Sequence, residues 1–204
     1  MYRRVKYLFT FILCLEAFVS HAQIADTIQE AIKSKPSLTL GINGRFSSVS
    51  GEPIRTRRVF VGVDFNKKFK VELGYNYMPK PALENGVYIA VITNRSNQLR
   101  FFGVQAEYTF LTKGKWKLSY PIQLGIGQNE LYTYQINDNF SRKNMVVPLE
   151  MGANAVYYVY DWIGLKGGLG LRFAFGQSFK TYTGPNYNFG VALFPGVLYE
   201  RYKD

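Results

Sequence analysis

The stretch VFVGVDFNKKFKVELGYNYM, Val59 to Met78, alternates apolar with small or polar residues on both sides of a short break. Val59, Val61, Val63 and Phe65 fall on one face of an extended segment. After Asn66-Lys67-Lys68, Phe69, Val71, Leu73, Tyr75 and Tyr77 repeat the pattern. Side chains alternate across a strand, so two period-two runs flanking a polar break predict a β-hairpin with one continuous greasy face. A protein core, a bound lipid or a membrane could each cover that face, and each implies a different function.

The same period runs outward along the chain. Eight strands are predicted, roughly Ser37–Ser47, Arg57–Phe65, Phe69–Met78, Gln98–Phe110, Lys115–Gly127, Met145–Tyr158, Trp162–Phe175 and Asn186–Tyr199. Their lengths lie close to or above the ~9–11 residues of a tilted transmembrane strand. One face of each is apolar, as in Trp116, Leu118, Tyr120, Ile122, Leu124 and Ile126 of the fifth. The other combines Gly with charge. The expected charged residues on that face are Arg45, Asp64, Lys70, Glu72, Arg100, Glu107, Lys117, Glu150, Lys166 and Arg172. Interleaved signs suit a salt-bridge network inside a closed structure, because isolated buried charge is too costly to keep.

Connections sharpen the reading. Asn66-Lys67-Lys68, Leu111-Thr112-Lys113-Gly114 and Val159-Tyr160-Asp161 are tight, whereas the intervening connections are long and polar. An even-stranded meander with short turns at one end and long loops at the other is the pattern of an all-β, closed, antiparallel up-and-down transmembrane barrel. Aromatic residues gather near the strand ends: Tyr108, Phe110, Trp116, Tyr157, Tyr160 and Trp162 by the turns, Tyr75, Tyr77, Phe175 and Tyr187 by the loops. Such girdles mark the two membrane interfaces. A soluble lipocalin-like lipid carrier shares the strand number and the alternation, but with the apolar face inward around a ligand. Gly on the charged face and the alternating connection lengths favour the membrane barrel.

Export is written at the start of the chain. Arg3, Arg4 and Lys6 precede the apolar run YLFTFILCL, and Ser20 and Ala22 stand at −3 and −1 of a cut before Gln23, which predicts a cleaved signal peptide over residues 1–22. The run is too short to span a bilayer as a helix, which takes ~20 residues. Cleavage takes Lys and Arg from 25 to 22 and acids from 14 to 13, a net charge of +9, and removes Cys14 and His21, the chain's one Cys and one His. A mature chain without Cys has no disulfide framework. Residues 23–36 form a separate periplasmic N-terminal segment in which Ile24, Ile28, Ala31 and Ile32 at helical spacing fit a short amphipathic helix, on the periplasmic side or capping the barrel mouth, with disorder the alternative at this length, ahead of the barrel at 37–204.

In size, strand number and connection pattern the chain from Ser37 resembles the small outer-membrane β-barrels of Gram-negative bacteria, of which the OmpA transmembrane domain and OmpX are members. The Ala22-Gln23 junction resembles exported proteins of the Bacteroidota, with their "porin family" and PorT-like barrels. The resemblance implies the outer membrane as location, and the PorT-like likeness implies a partner subunit of a secretion or surface-attachment complex as an alternative to a self-standing envelope barrel. Two features depart from the pattern. The chain ends YERYKD without a terminal aromatic residue, and Pro121, Pro148 and Pro195 fall inside predicted strands, where bulges or earlier strand ends are expected.

The mature chain offers neither His nor Cys for a nucleophile or a general base, so a non-enzymatic protein is expected, with no metal and no cofactor. Gly125-Ile126-Gly127 and Gly168-Leu169-Gly170 open no helix and read as inward glycines, not phosphate loops. The basic excess has an outlet toward the loop end, where Arg55, Arg57, Arg58, Lys80, Arg95, Arg142, Lys143 and Lys180 are placed to meet lipopolysaccharide phosphates. A solvated charged rim accounts for the same residues. Outer-membrane lipid and other envelope proteins are the expected partners, and nucleic acid is not.

Overall fold

The structure, a computed structural model, describes residues 24–49, 52–79, 82–88, 91–134, 139–176 and 182–198. The predicted signal peptide and the chain's last residues lie outside the described residues. Residues 24–32 are helical, with Ala31 buried and Ile32 exposed, so only part of the predicted apolar face is covered.

Among the described residues nine strands follow: β1 (Pro36–Val49), β2 (Glu52–Phe65), β3 (Phe69–Tyr77), β4 (Ala82–Tyr88), β5 (Val91–Lys113), β6 (Trp116–Tyr134), β7 (Asn139–Tyr160), β8 (Ile163–Gly176) and β9 (Gly184–Leu193). β3 and β4 both pair with β5, β3 along its lower part and β4 along its upper part, so together they occupy one position in the sheet. The remaining pairings run β1–β2, β2–β3, β5–β6, β6–β7, β7–β8, β8–β9 and β9–β1, all antiparallel. The result is a ring of eight strands in up-and-down order. The β3–β5 and β9–β1 pairings close the ring, and among the described residues β4 alone pairs on one side only, with β5.

The hairpin that opens the sequence reading is β2–β3, in register from Phe65↔Phe69 to Arg57↔Tyr77. Its turn holds Asn66 at φ 51° and Lys67 at φ 57°. A side chain in this left-handed region costs about 1–2 kcal/mol, which glycine avoids. Lys67 recovers part of that through its ammonium, 6.0 Å from the Tyr158 ring centroid. Lys67→Gly is therefore expected to raise the free energy of unfolding by up to about 1 kcal/mol. Urea titration of the folded barrel reads this directly, and a lowered midpoint would show that the Tyr158 contact outweighs the backbone strain.

Two prolines stay inside strands without the bulges expected of them. On the β6–β7 seam the pairs Ser119↔Asn154, Ile122↔Met151, Leu124↔Leu149 and Gly127↔Val146 keep one register across both Pro121 and Pro148. The register sets Pro121 opposite Gly152 and Pro148 opposite Gly125, and a Cβ at Gly125 would lie 3.0 Å from the Pro148 ring. The Pro148 ring thus lies against a glycine that leaves room for it. At Pro195 the strand ends earlier than predicted: β9 stops at Leu193, and residues 195–198 form a helical turn with proline in its first position, where a missing N–H costs nothing.

The polarity of the wall is inverted relative to a soluble protein. Ile42, Val59, Leu73, Phe102, Ile122, Leu124, Ile126 and Leu169 are 50–72% exposed on the outer face. Aromatic pairs collect outside this band at both ends. Near the turns are Phe110–Tyr120, Trp116–Tyr157 and Tyr160–Trp162; near the loops are Tyr75–Phe102 and Phe46–Tyr187. A lipocalin-like carrier needs the opposite arrangement, with its apolar face inside, and the wall geometry rules that alternative out.

Candidate functional site

The inward face is where the charges meet. Arg45, Asp64, Lys70, Glu72, Glu107, Lys117, Glu150, Lys166 and Arg172 are all at most 6% exposed. Strand register accounts for part of this. One circumferential rung carries Asp64, Lys70 and Glu107 side by side on β2, β3 and β5. The rung above it carries Glu72, Gln105, Gln123, Glu150 and Arg172 across five consecutive positions of the ring. Opposite charges on neighbouring strands attract, so the Asp64–Lys70–Glu107 alternation on the first rung and the Glu150–Arg172 neighbours on the second are favourable.

The long side chains also span the lumen. Lys166 on β8 reaches Glu107 on β5 at 2.8 Å, and Lys117 on β6 reaches Asp64 on β2 at 2.9 Å. From β1, Arg45 donates to Gln123 at 2.9 Å and to Gln105 at 3.3 Å, and it pairs with Glu150, whose other oxygen meets Arg172. Gln105 in turn donates to Glu107 at 3.0 Å, which links the Arg45–Glu150–Arg172 group to the Glu107 group. Glu107 is the hub. It also pairs with Lys70 at 3.3 Å and accepts from Ser119 at 2.9 Å and Asn154 at 3.2 Å. Lys70 continues to Glu72 at 2.7 Å, which Arg58 caps at 2.7 Å.

Glycine makes room for this. A Cβ at Gly74 would stand 3.0 Å from the guanidinium carbon of Arg58. Apolar groups close the network at both ends. Phe60, Ala192 and Phe194 cluster toward the turns, with Arg58 and Lys166 over the Phe60 ring at 4.9 and 5.8 Å. Toward the loops Ile54, Met78, Leu99, Phe101, Val146, Ala174 and Tyr182 pack together. Tyr182 donates its hydroxyl to Asn129 at 2.7 Å. Burial pushes its pKa well above the ordinary phenol value, so it stays a neutral donor at any physiological pH.

Two expected site residues are placed differently. Arg100 shares the parity of Phe102 and points outward; its side chain is 41% exposed and bonds Glu130 at 3.0 Å on the outer wall, where Lys143 flanks the same carboxylate at 3.2 Å. Arg58, expected at the loop rim facing lipid phosphate, is fully buried in the lumen on Glu72. It carries the parity of Gly62 and Asp64, so alternation alone assigns it inward. Phe60, with the same parity, and Phe101, two positions before Gly103, also belong to the lumen and went unassigned in the sequence. Of the other candidate lipid-facing cations, Arg55, Arg57, Arg142 and Lys143 are exposed. Lys80, Lys180 and the side chain of Arg95 lie outside the described part of the structure.

No family model matches the sequence, and no curated protein matches it. Among solved structures the chain is similar to a major outer membrane protein from Thermus thermophilus, at 11% identity over 78% of this chain and 99% of that one, with a TM-score of 0.57. It is also similar to Neisserial surface protein A (15% identity, 78% and 96% covered, TM-score 0.49) and to the N-terminal barrel domain of Pseudomonas aeruginosa OprF (12%, 78% and 98%, TM-score 0.49). The Thermus protein shares the fold, an eight-stranded barrel.

Proposed function

We propose that the chain is a non-enzymatic integral barrel of the outer membrane whose lumen is filled by its own side chains, and that its outer wall and loop end carry its role at the cell envelope. The observation that supports this best is the inverted polarity: large apolar side chains on the outside, and carboxylates, lysines and guanidinium groups buried within. In water that arrangement leaves an apolar belt uncovered, whereas a bilayer covers it. The lack of His in the predicted mature chain, and the saturation of Glu107 and Glu150 by cations, support a role other than catalysis. Fractionation tests the location. The protein should sediment with outer membranes, resist alkaline extraction and migrate differently on unheated and boiled SDS gels, as folded barrels do. Recovery in the soluble periplasm without detergent would remove the reading.

A filled lumen has an electrical consequence. Eight strands leave an interior that side chains can fill, and Lys117, Lys166 and Arg45 each bridge strands on opposite sides of it. Purified wild-type monomer in planar bilayers is expected to give no stable ohmic steps. Large, persistent conductance would mean that the network opens in a membrane.

The exposed cations suit an anionic lipid. Arg55 and Arg57 line an outer groove of about 360 Å³ together with Ile42, Gly44, Val59 and Phe189. Guanidinium groups bind phosphate through paired, charge-assisted hydrogen bonds, and the apolar part of the groove would take an acyl chain. Such a site suits a phosphate-bearing lipid of the outer leaflet, lipopolysaccharide included. Native mass spectrometry after mild detergent extraction should show retained lipid that is lost in the Arg55→Gln, Arg57→Gln double variant; equal retention would assign these residues to a solvated rim.

A further inference from the structure

The lumen carries more positive than negative charge. Its buried ionisable groups, among the described residues, are six cations (Arg45, Arg58, Lys70, Lys117, Lys166 and Arg172) against four carboxylates (Asp64, Glu72, Glu107 and Glu150). The carboxylates are shared: Glu72, Glu107 and Glu150 each serve two cations. Donors are therefore in surplus; some of the unpartnered ones lie on Arg58, Arg172 and Asn76, and four others, from four different side chains, converge on one cavity. Arg45 Nε, Asn43 Nδ2, Gln123 Nε2 and Asn186 Nδ2 are buried without a hydrogen-bond partner, and all four side chains line a single cavity of about 20 Å³. These residues are at least nine-tenths buried. Glu150 lines the cavity as well, but its two oxygens are engaged by Arg45 and Arg172.

We propose that this cavity binds one small monovalent inorganic anion, chloride being the probe that matches it in size and charge. The volume suits a single particle of about the size of a water molecule. A buried water has to donate as well as accept, and the unpartnered acceptors at the cavity are the amide oxygens of Asn43 and Asn188 alone, against four donors. An anion needs donors only. It also cancels half of the charge excess, which in a low-dielectric interior is the larger effect. Arg45 supplies the charge, and the Asn43, Gln123 and Asn186 amides, on β1, β6 and β9, supply direction from three sides.

The test uses the full mature chain, folded in an uncharged detergent, so it does not depend on where the protein resides in the cell. Unfolding by urea is followed at constant ionic strength while gluconate, which is too large for the cavity, is replaced by chloride or bromide. Once chloride exceeds its Kd, the folded-to-unfolded ratio should rise about tenfold for each tenfold increase in chloride. Crystals grown in bromide should show an anomalous peak between Arg45 and Asn186. Asn186→Asp places a fixed carboxylate at the cavity; this variant should fold, and it should lose the chloride dependence. If chloride and gluconate give the same midpoint and bromide gives no peak, the cavity holds water and the inference fails. A chloride effect that survives intact in Asn186→Asp also overturns it, because the anion then binds elsewhere.

Discussion

Glu107→Ala is expected to lower the free energy of unfolding by on the order of 3–5 kcal/mol, the loss that follows when one member of a buried ionic group is removed and its partners stay charged. Glu107 is 1% exposed and takes ion pairs from Lys70 and Lys166 together with hydrogen bonds from Gln105, Ser119 and Asn154. Truncation leaves Lys70 with Glu72 alone, takes away the carboxylate that Lys166 reaches across the lumen to find, and strips three neutral donors of their acceptor. Glu107→Gln keeps an acceptor in place but not the charge, so it should fall between the wild type and the alanine variant. The control is Glu130→Ala. That carboxylate is also ion-paired, to Arg100 and Lys143, but those partners are 41% and 61% exposed on the outer wall. Glu130 itself is 5% exposed, but truncating it leaves both cations within reach of solvent, so the expected cost is below about 1 kcal/mol. Urea unfolding in detergent micelles, followed by the fluorescence of Trp116 and Trp162, separates the two. Equal costs for Glu107 and Glu130 would mean that water reaches the lumen and that the network holds the barrel together no better than a pair with solvent-exposed cations does.

Alternation was readable in the sequence wherever two unlike media face the two sides of a strand. Between the aromatic belts the proposed bilayer would meet one side and the polar interior meets the other, so a residue slipped by one position would put charge outside. That constraint writes the pattern of Val59, Val61 and Val63 against Gly62 and Asp64, and it also assigns Arg58 and Phe60 inward and Arg100 outward once parity is followed strictly. Toward the loops the strands run on while the pattern fades. β5 begins at Val91 and not at Gln98, β6 continues to Tyr134 and β7 starts at Asn139, all within stretches read as polar loops. With water available to both faces, nothing enforces period two there, although the ladder still satisfies backbone groups. The pairing of the lumenal charges belongs to a third category. Lys166 and Glu107 are far apart in sequence and on strands that do not touch; they meet because the ring closes, and closure geometry depends on strand number and stagger together. The same holds for Pro148, whose ring has room because register sets Gly125 opposite it, which no local pattern around the proline reveals.

The outer wall makes a second large effect testable, one that depends on depth. Ile122 lies near the middle of the apolar run of β6 from Trp116 to Ile126, is 55% exposed, and pairs with Ala106 on one side and Met151 on the other. If lipid covers this face, Ile122→Arg moves a guanidinium into hydrocarbon and should cost about 2–4 kcal/mol, the range found near the midplane of transmembrane barrels. Gln128 is also exposed, three rungs nearer the loops and beside Arg100, where the same face has left the apolar band. Gln128→Arg should cost no more than about 1 kcal/mol, because an arginine there reaches the interface. Measured by reversible unfolding in lipid vesicles, the two substitutions together form a depth scale. A wall facing water predicts something else: both positions are exposed, both changes lie within about 0.5 kcal/mol of wild type, and no gradient appears. A flat response would therefore contradict the bilayer reading even if the protein is recovered with membranes, since a peripheral attachment leaves the belt dry of lipid. A steep one requires that the apolar belt read first at Val59 to Phe65 is solvated by acyl chains in the folded state.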